Sequence, residues 1–243
     1  VEITAKVLAY IDPDTGKPLV DVILDSAGQK GTGKWTSQTA LDLGVPISVI
    51  DAAVMARNIS GFKAERVEAA KVLHGPTVKK VDDVDKLVSA LHDALYAAKI
   101  MSYAQGMTLL RVASDERQYG LKLAELARIW KGGCIIRAQL LDKISKAFKR
   151  NPKLTNLLLD PDFAKIVNDA QGACRCVVQL AKDNGIPIPA FNASLDYYDS
   201  YRAARVPANL IQGLRDFFGA HTYQRVDKPG AHHTEWMEVY GGK

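Results

Sequence analysis

A short segment rich in glycine and lysine, residues 28–36, is the strongest candidate for chemistry in this sequence; it is GQKGTGKWT. It nearly matches the phosphate-binding loop of nucleotide triphosphatases, but Trp35 occupies the place of the hydroxyl that ligates magnesium. That defect disfavours a nucleotide triphosphatase. Three glycines and a predicted helix over Trp35–Leu43 would still offer backbone N–H groups to an anion, and Lys30 and Lys34 would add charge. The simpler alternative, a glycine turn with two solvated lysines, stays open.

Arg57, Arg215 and His221 are further candidate ligands for an anion, although each also has an ordinary explanation. Arg57 lies on an otherwise apolar helical stretch and needs a partner there, because an unpaired buried charge is costly. An ion pair with Asp51 or Glu65 is the simpler interpretation of a single arginine. Arg215 falls in the last turns of a predicted helix and His221 just beyond its end, where a capping or surface histidine is the ordinary alternative.

The remaining residues that bind metals or act as nucleophiles form no recognisable pattern. Cys174 and Cys176 would lie on different faces of a helix, and the adjacent His232 and His233 lack a third ligand at a suitable spacing. The sequence has no H-E-x-x-H or C-x-x-C motif and no nucleophile elbow. We therefore expect no metal site. No G-x-G-x-x-G follows a predicted strand, so we expect no dinucleotide-binding domain within this chain.

Helical periodicity dominates the chain and predicts an all-α fold class. Apolar residues recur at three- and four-residue steps through most of the sequence. The pattern predicts helices at Asp82–Tyr119, Leu121–Trp130, Cys134–Phe148, Pro161–Asn184 and Ala193–Phe218, with Pro207 as a kink or a boundary. The best strand candidates are Val20–Leu24 and Gln224–Val226.

Composition limits the class of protein and its partners. The chain has 243 residues, of which 47% are hydrophobic and 24% charged, so a disordered chain, a collagen-like fibre and a disulfide-stapled miniprotein are excluded. Three cysteines favour a reducing compartment, and no stretch approaches the roughly 18 apolar residues of a membrane span. The net charge of +5 allows a nucleic acid or a small anion as ligand. Because the sequence begins at Val1 inside an apolar-periodic segment, we expect it to be part of a longer protein.

The end of the chain differs in composition from the rest. After Ala220, glycine and histidine become frequent and helical periodicity stops. The sequence therefore predicts a helical domain, residues 1–221, followed by a tail, residues 222–243, with too few apolar residues to bury a core of its own. We expect such a tail to be either disordered or packed on another surface, for example on a partner subunit.

Four blocks of sequence, in family order along the chain, resemble the 6-phosphogluconate dehydrogenase family. They are ILDSAGQKGTGKWT at 23–36, IWKGGCIIR at 129–137, LIQ with RDFFGAHTY between 210 and 223, and HTEW at 233–236. The resemblance covers essentially the whole chain and implies the later part of the family's large all-helical domain, without the NADP-binding Rossmann domain that precedes it in the family. It further implies the family's reaction in the cytoplasmic pentose phosphate pathway. In that reaction 6-phosphogluconate is oxidised and decarboxylated to ribulose 5-phosphate and CO2, with formation of NADPH.

The same resemblance implies roles for the four candidate residues. Lys30 and Arg57 match family residues that bind the substrate, and the arginine holds its phosphate. Arg215 and His221 match substrate ligands that the family contributes from the partner subunit of a homodimer, on which the tail, residues 222–243, would pack. The family's general base and acid would lie upstream of Val1, so we expect no catalytic residue and no metal in this chain.

Two other hypotheses compete with this one. A helical module that dimerises or binds sugar phosphates without catalysis would carry the same blocks. A basic nucleic-acid-binding protein is disfavoured, because no basic stripe is interleaved with aromatic residues. We therefore expect neither a nucleic acid nor a membrane as a partner.

Overall fold

A computed structural model describes residues 2–28, 30–236 and 238, and most of these residues are helical. The α-helices in these ranges are α1 (Glu2–Ala9), α2 (Leu19–Val22), α3 (Thr32–Asp42), α4 (Ser48–Ser60), α5 (Lys63–Val72), α6 (Val84–Glu116), α7 (Leu123–Ile129), α8 (Leu140–Arg150), α9 (Pro161–Asp183), α10 (Pro189–Arg202) and α11 (Ala208–Gly219). A 3-10 helix covers Leu157–Leu159, and two short strands are β1 (Tyr223–Gln224) and β2 (Ala231–His232). The all-α fold class is confirmed.

The 33-residue helix α6 packs along α9, and its sequence explains both its start and this contact. The side chain of Asp83 caps the helix by accepting a hydrogen bond from the Lys86 N–H (2.9 Å). The buried face of α6 carries many small residues, which let α9 approach closely. The thiol of Cys174 on α9 donates to the carbonyl oxygen of Ala94 on α6 (3.7 Å). Gly106 lies within α6 without interrupting it.

Helices α3 and α4 are attached to α6 by a small apolar cluster and by one buried amide. The cluster consists of Ala40, Val45, Ile47 and Leu109. Gln105 of α6 is fully buried; its Oε1 accepts from the Val49 N–H (3.0 Å), and its amide donates to Ser48 Oγ (3.2 Å). These bonds serve the first turn of α4, whose N–H groups have no acceptor within the helix. The attachment places α3 against α4.

The strand predicted at Val20–Leu24 is wrong, because Leu19–Val22 form the short helix α2. A segment rich in β-branched residues forms a strand only beside another strand, which satisfies its N–H and C=O groups. Among the described residues the only pairing nearby is a single bridge between Ile11 and Pro18. A helical turn satisfies the backbone of this run locally, so the apolar β-branched residues do not become a strand.

The helix predicted at Cys134–Phe148 begins later than expected, at Leu140. The preceding residues form turns, and Gly133 has a φ of 67°, which a glycine adopts without strain. The hydroxyl of Tyr103 on α6 donates to the Ile136 carbonyl oxygen (2.6 Å) and holds this segment in place. Tertiary contact and glycine conformation therefore override the helical periodicity.

The predicted helical stretch Ala193–Phe218 consists of two helices. Helix α10 already begins at Pro189, and Pro207 is a boundary before α11. The strand candidate Gln224–Val226 is correct at Gln224 alone, since β1 ends there and pairs with β2 as an antiparallel ribbon.

The chain divides between Tyr197 and Tyr198 into two compact units. The first unit contains α1 to α9 and most of α10, and the second contains the end of α10, α11 and the β1–β2 ribbon. The boundary predicted after residue 221 thus lies inside the second unit. Packing of residues 222–243 on a partner stays a prediction, and residues 237 and 239–243 of that tail lie outside the described residues. Within the described part of the chain, no helix combines the length and the apolar character needed to cross a membrane.

Candidate anion-binding site

Lys30 and Arg57 line one open cleft in the first unit, at the N-terminus of α3 beside α4. The cleft has a volume of about 670 Å³ and is lined by Gly28, Lys30, Thr32, Gly33, Ile50, Ala53, Val54 and Arg57. We call it the α3–α4 cleft. These lining residues include two cations and no carboxylate, and Lys34 is not one of them. Two of the four predicted site residues, well separated in sequence, therefore meet in one place.

The N-terminus of α3 contributes backbone donors to this cleft. Gly31 caps the helix with a φ of 106°, a conformation that residues with a side chain rarely adopt. The Trp35 N–H donates to the Gly31 carbonyl oxygen (2.8 Å) and closes the first turn. The N–H groups of Thr32 and Gly33 precede this bond and have no acceptor within the helix. Since the helix begins at Thr32 and not at Trp35, its positive end lies at the cleft and favours an anion.

Arg57 is exposed on the last turn of α4 and its guanidinium donates to the Gly28 carbonyl oxygen. The glycine segment, and not Asp51, is therefore the partner of Arg57; the Asp51 carboxylate accepts from Ser37 Oγ (2.6 Å). Ser60 reinforces the junction, because its hydroxyl accepts from the Ala27 N–H (2.8 Å). The arginine faces the cleft, bound to a neutral oxygen that a stronger acceptor could replace.

The loop that leads into the cleft is fixed to α5 by an ion cluster that sequence reasoning missed. The Asp25 carboxylate contacts Lys63 Nζ (2.5 Å) and Arg66 Nη1 (3.1 Å), and Arg66 also donates to the backbone oxygens of Asp25 (2.9 Å) and Ser60 (3.2 Å). Hydrogen bonds from Lys63 and then Arg66 lower the pKa of Asp25 to about 2. Lys63 and Arg66 share one face of α5, but their spacing does not point to Asp25.

Arg215 and His221 belong to the second unit, at the end of α11. Arg215 is exposed and donates to Gln212 Oε1 (2.7 Å). His221 is exposed, and its imidazole lies over Gly219, where an added Cβ would be 3.1 Å from Nε2. Ala220 (φ 48°) and Thr222 (φ 62°) on either side of the histidine are both left-handed. Such residues carry strain of about 1–3 kcal/mol each, which surrounding contacts must offset.

A buried carboxylate next to Arg215 organises this turn, and sequence reasoning missed it as well. The Asp216 side chain is fully buried and accepts hydrogen bonds from the backbone N–H groups of Thr222 (2.9 Å) and Thr234 (3.1 Å), from His233 Nδ1 (2.9 Å) and from Trp236 Nε1 (2.8 Å). Burial alone would raise the pKa of Asp216, but the donors, led by His233 and Trp236, lower it to about 2. The hydrogen bond to Asp216 in turn raises the pKa of His233. In the sequence Asp216 is only an acid between Arg215 and two phenylalanines, and nothing there indicates its burial.

The residues that line the α3–α4 cleft have the chemistry to bind an anion. Its polar donors are a lysine, an arginine, a threonine and free backbone N–H groups, above an apolar side formed by Ile50 and Val54. Charged donors of this kind bind phosphate or carboxylate strongly, and the arginine can do so through two parallel bonds. No cluster of three or more His, Cys, Asp or Glu side chains that could hold a metal ion occurs in the described residues.

Fold and cleft together define an all-α domain with a cleft lined by two cations and no carboxylate. The family model described as "6-phosphogluconate dehydrogenase, C-terminal domain" matches residues 1–236, and the chain belongs to this family. The predicted family resemblance is therefore confirmed.

Individual relatives agree with the family. The chain is 56% identical over 239 residues to the NADP(+)-dependent, decarboxylating 6-phosphogluconate dehydrogenase of Bacillus subtilis, covering 98% of this chain and 51% of the relative. It is 54% identical over 238 residues to the decarboxylating enzyme of Escherichia coli, with coverage of 98% and 51%. A solved structure of Plasmodium falciparum 6-phosphogluconate dehydrogenase, described as apo, with NADP+ and with 6-phosphogluconate, matches with a TM-score of 0.92 and 46% identity. The matched region covers 97% of this chain and 51% of the Plasmodium chain. The chain thus spans about half the length of the relatives that it matches.

Proposed function

We propose that this chain forms the substrate-binding helical domain of a 6-phosphogluconate dehydrogenase. The whole protein would oxidise 6-phosphogluconate with NADP+ in the cytoplasm and release CO2 and ribulose 5-phosphate. One observation carries the proposal: Lys30 and Arg57 meet the free N–H groups of α3 in a single cleft without a carboxylate among its lining residues. The names of the relatives, and the substrate and cofactor named for the Plasmodium structure, support this choice of anion.

The phosphate of the substrate is the group that the α3–α4 cleft would hold. A phosphate dianion is a stronger acceptor than the neutral Gly28 carbonyl, so it would take over the guanidinium donors of Arg57. Lys30 would add a point charge, and the N–H groups of Thr32 and Gly33 would complete the binding site from the helix end.

The cofactor site and the proton-transfer residues would lie outside this chain. The described residues form a two-stranded antiparallel ribbon and no parallel sheet, so they offer no dinucleotide-binding crevice. We place NADP, the general base and the general acid in the half of the relatives that this chain does not match.

A homodimer with shared sites is the second part of the proposal. Arg215 and His221 would bind substrate in the site of a second copy. Helix α11, which carries Arg215, also exposes large apolar side chains, as expected of an interface; they are Leu210, Ile211, Leu214, Phe217 and Phe218. A second copy that covers this face would bring the end of α11 towards its site.

The test uses a full-length protein that contains this chain and follows NADPH formation with 6-phosphogluconate. Arg57→Ala and Lys30→Ala should each raise KM for 6-phosphogluconate by about tenfold to a hundredfold, because each removes a charged donor to the phosphate. Lys34→Ala is the matched control: it removes an equal charge from the same segment but not from the cleft lining, and it should leave KM unchanged. A wild-type protein that binds 6-phosphogluconate without forming NADPH would support the inert sugar-phosphate module instead.

A further inference from the structure

We propose that Asp216 is a positioning residue for substrate binding, because it fixes the turn that carries His221 and so sets the place of the imidazole. The inference rests on the proposed function, which alone makes His221 a substrate ligand. Asp216 itself is fully buried and would not touch the substrate.

The turn around His221 does not form readily from its own sequence. Ala220 and Thr222 both have positive φ values, 48° and 62°. Left-handed backbone is uncommon for any residue with a Cβ and is a clear outlier for a β-branched residue such as threonine. Other contacts must therefore hold these two residues in place.

Asp216 supplies those contacts on both sides of His221. Its carbonyl oxygen accepts from the Ala220 N–H (2.9 Å), and its carboxylate accepts from the Thr222 N–H (2.9 Å). The N–H groups of the residues before and after the histidine thus both donate to Asp216.

The same carboxylate also binds the chain that follows the β1–β2 ribbon. Thr234 donates its N–H, and His233 and Trp236 donate from their rings. The Trp236 ring packs at 5.8 Å from the Phe217 ring, next to Asp216 in the helix. Because these donors fill the carboxylate and exclude water, its position relative to the turn is fixed.

Gly219 leaves space for the imidazole beside the turn. An added Cβ at this position would lie 3.1 Å from His221 Nε2 and 3.2 Å from its Cδ2, so the ring would have to shift by a few tenths of an ångström to accommodate a side chain. Asp216 places the backbone of the turn, and Gly219 admits the ring.

The test replaces Asp216 with asparagine in the full-length protein and measures KM and kcat with 6-phosphogluconate. Asn keeps the shape but replaces one carboxylate oxygen by an NH2 group, so either Thr222 and His233 or Thr234 and Trp236 lose their acceptor and the hold on the turn weakens. We expect KM to rise about tenfold and kcat to change less than about threefold, the pattern of lost ground-state binding. Asp227→Asn is the matched control, since Asp227 is a carboxylate of the same unit that binds Arg225 (2.6 Å) instead of the turn; its KM should stay at the wild-type value.

A glycine at position 222 distinguishes positioning from general loss of structure. Thr222→Gly adopts a positive φ without strain, so it should lower the KM of Asp216→Asn by about threefold or more. If the glycine leaves that KM unchanged, or if folded Asp216→Asn has the wild-type KM, the proposal is wrong. Should Asp216→Asn fail to fold, Trp236→Phe removes one donor and keeps the ring contact with Phe217; an unchanged KM there would equally overturn the proposal.

Amide hydrogen exchange separates this inference from the proposed function. Asp216→Asn should accelerate exchange at the amide of Thr222, which donates to the carboxylate, whatever the substrate of the protein is. Faster exchange in a protein that does not oxidise 6-phosphogluconate would contradict the proposed function but support the role of Asp216 in the turn. Unchanged exchange at the Thr222 amide would overturn the inference even in an active enzyme.

Discussion

Gly31 carries two constraints at once, and both act on the α3–α4 cleft. Its φ of 106° is strained for any other residue, and an added Cβ would lie 3.2 Å from Cζ2 of Trp35. Gly31→Ala should therefore shift the first turn of α3, on which the donors Thr32 and Gly33 lie. We expect a stability loss of about 1–3 kcal/mol and a several-fold rise in KM for 6-phosphogluconate in the full-length enzyme, measured by thermal unfolding and steady-state kinetics.

A second glycine, after the other end of the same helix, is the control for this prediction. Gly44 also has a positive φ, 63°, but nothing lies within 4 Å of an added Cβ, and the residue does not line the cleft. Gly44→Ala should lower stability by a similar amount and leave KM unchanged. Equal KM values for both alanine variants would show that the cap geometry at Gly31 does not matter for binding.

Among individual residues, the sequence could predict the candidate substrate ligands but not the residues that position those ligands. Lys30 stands in a long family motif and Arg57 matches a family arginine ahead of Ser60, so the resemblance points to both. Asp25 and Asp216 stabilise the loop and the turn beside the predicted ligands, and their partners come from other elements. No local spacing reveals such contacts, because they exist only once the chain has folded.

Helices were predictable where their signals are local. Asp83 caps α6, and Pro161 opens α9 after the Asp160 cap, as their positions in the sequence indicate. The prediction failed at Val20–Leu24, where the apolar run has the residue types of a strand but no neighbouring strand in the described residues. Strand formation depends on a partner elsewhere in the chain, whereas a helical turn satisfies its own backbone.

The chain segment from α11 to Trp236 should have a window of pH in which it is most stable. The pKa of Asp216 is lowered from 3.8 to about 2, so its contribution is present above about pH 4 and is lost as the pH falls towards 2. The bond to Asp216, and to a lesser degree Glu235, raises the pKa of His233 above 6.5. The contribution of His233 is therefore complete below about pH 6.5 and is lost as the pH rises through the raised value.

Fluorine NMR of fluorotryptophan-labelled protein can follow this window at Trp236, whose indole donates to Asp216. We expect its signal to be constant between about pH 4 and pH 6.5 and to move on both sides of that range. His233→Gln should abolish the change on the alkaline side and keep the one on the acid side. A signal that moves through the middle of the window in the wild-type protein would contradict the assigned ion pair.

At the scale of the whole molecule, the four predicted ligands fall into two compact units of one chain. Lys30 and Arg57 lie in the first, and Arg215 and His221 lie in the second. The proposed homodimer joins the first unit of one subunit to the second unit of its partner in each active site. Such sharing cannot be derived from the periodicity or the charge of a single chain, because it depends on contacts between two copies.

Sharing can be tested by mixing two full-length subunits with impaired substrate binding, one with Arg57→Ala and the other with both Arg215→Ala and His221→Ala. In a shared arrangement, one site of the mixed dimer receives all of the substitutions and the other receives none. We expect the mixed dimer, isolated through two different tags, to show about half of the wild-type activity with wild-type KM, although both parent homodimers are defective. If each subunit used only its own residues, both sites would be damaged and the mixed dimer would be as defective as its parents. A mixed dimer of Arg57→Ala and Lys30→Ala subunits is the matched control, because it damages the cleft of each subunit and so leaves no intact site in either arrangement.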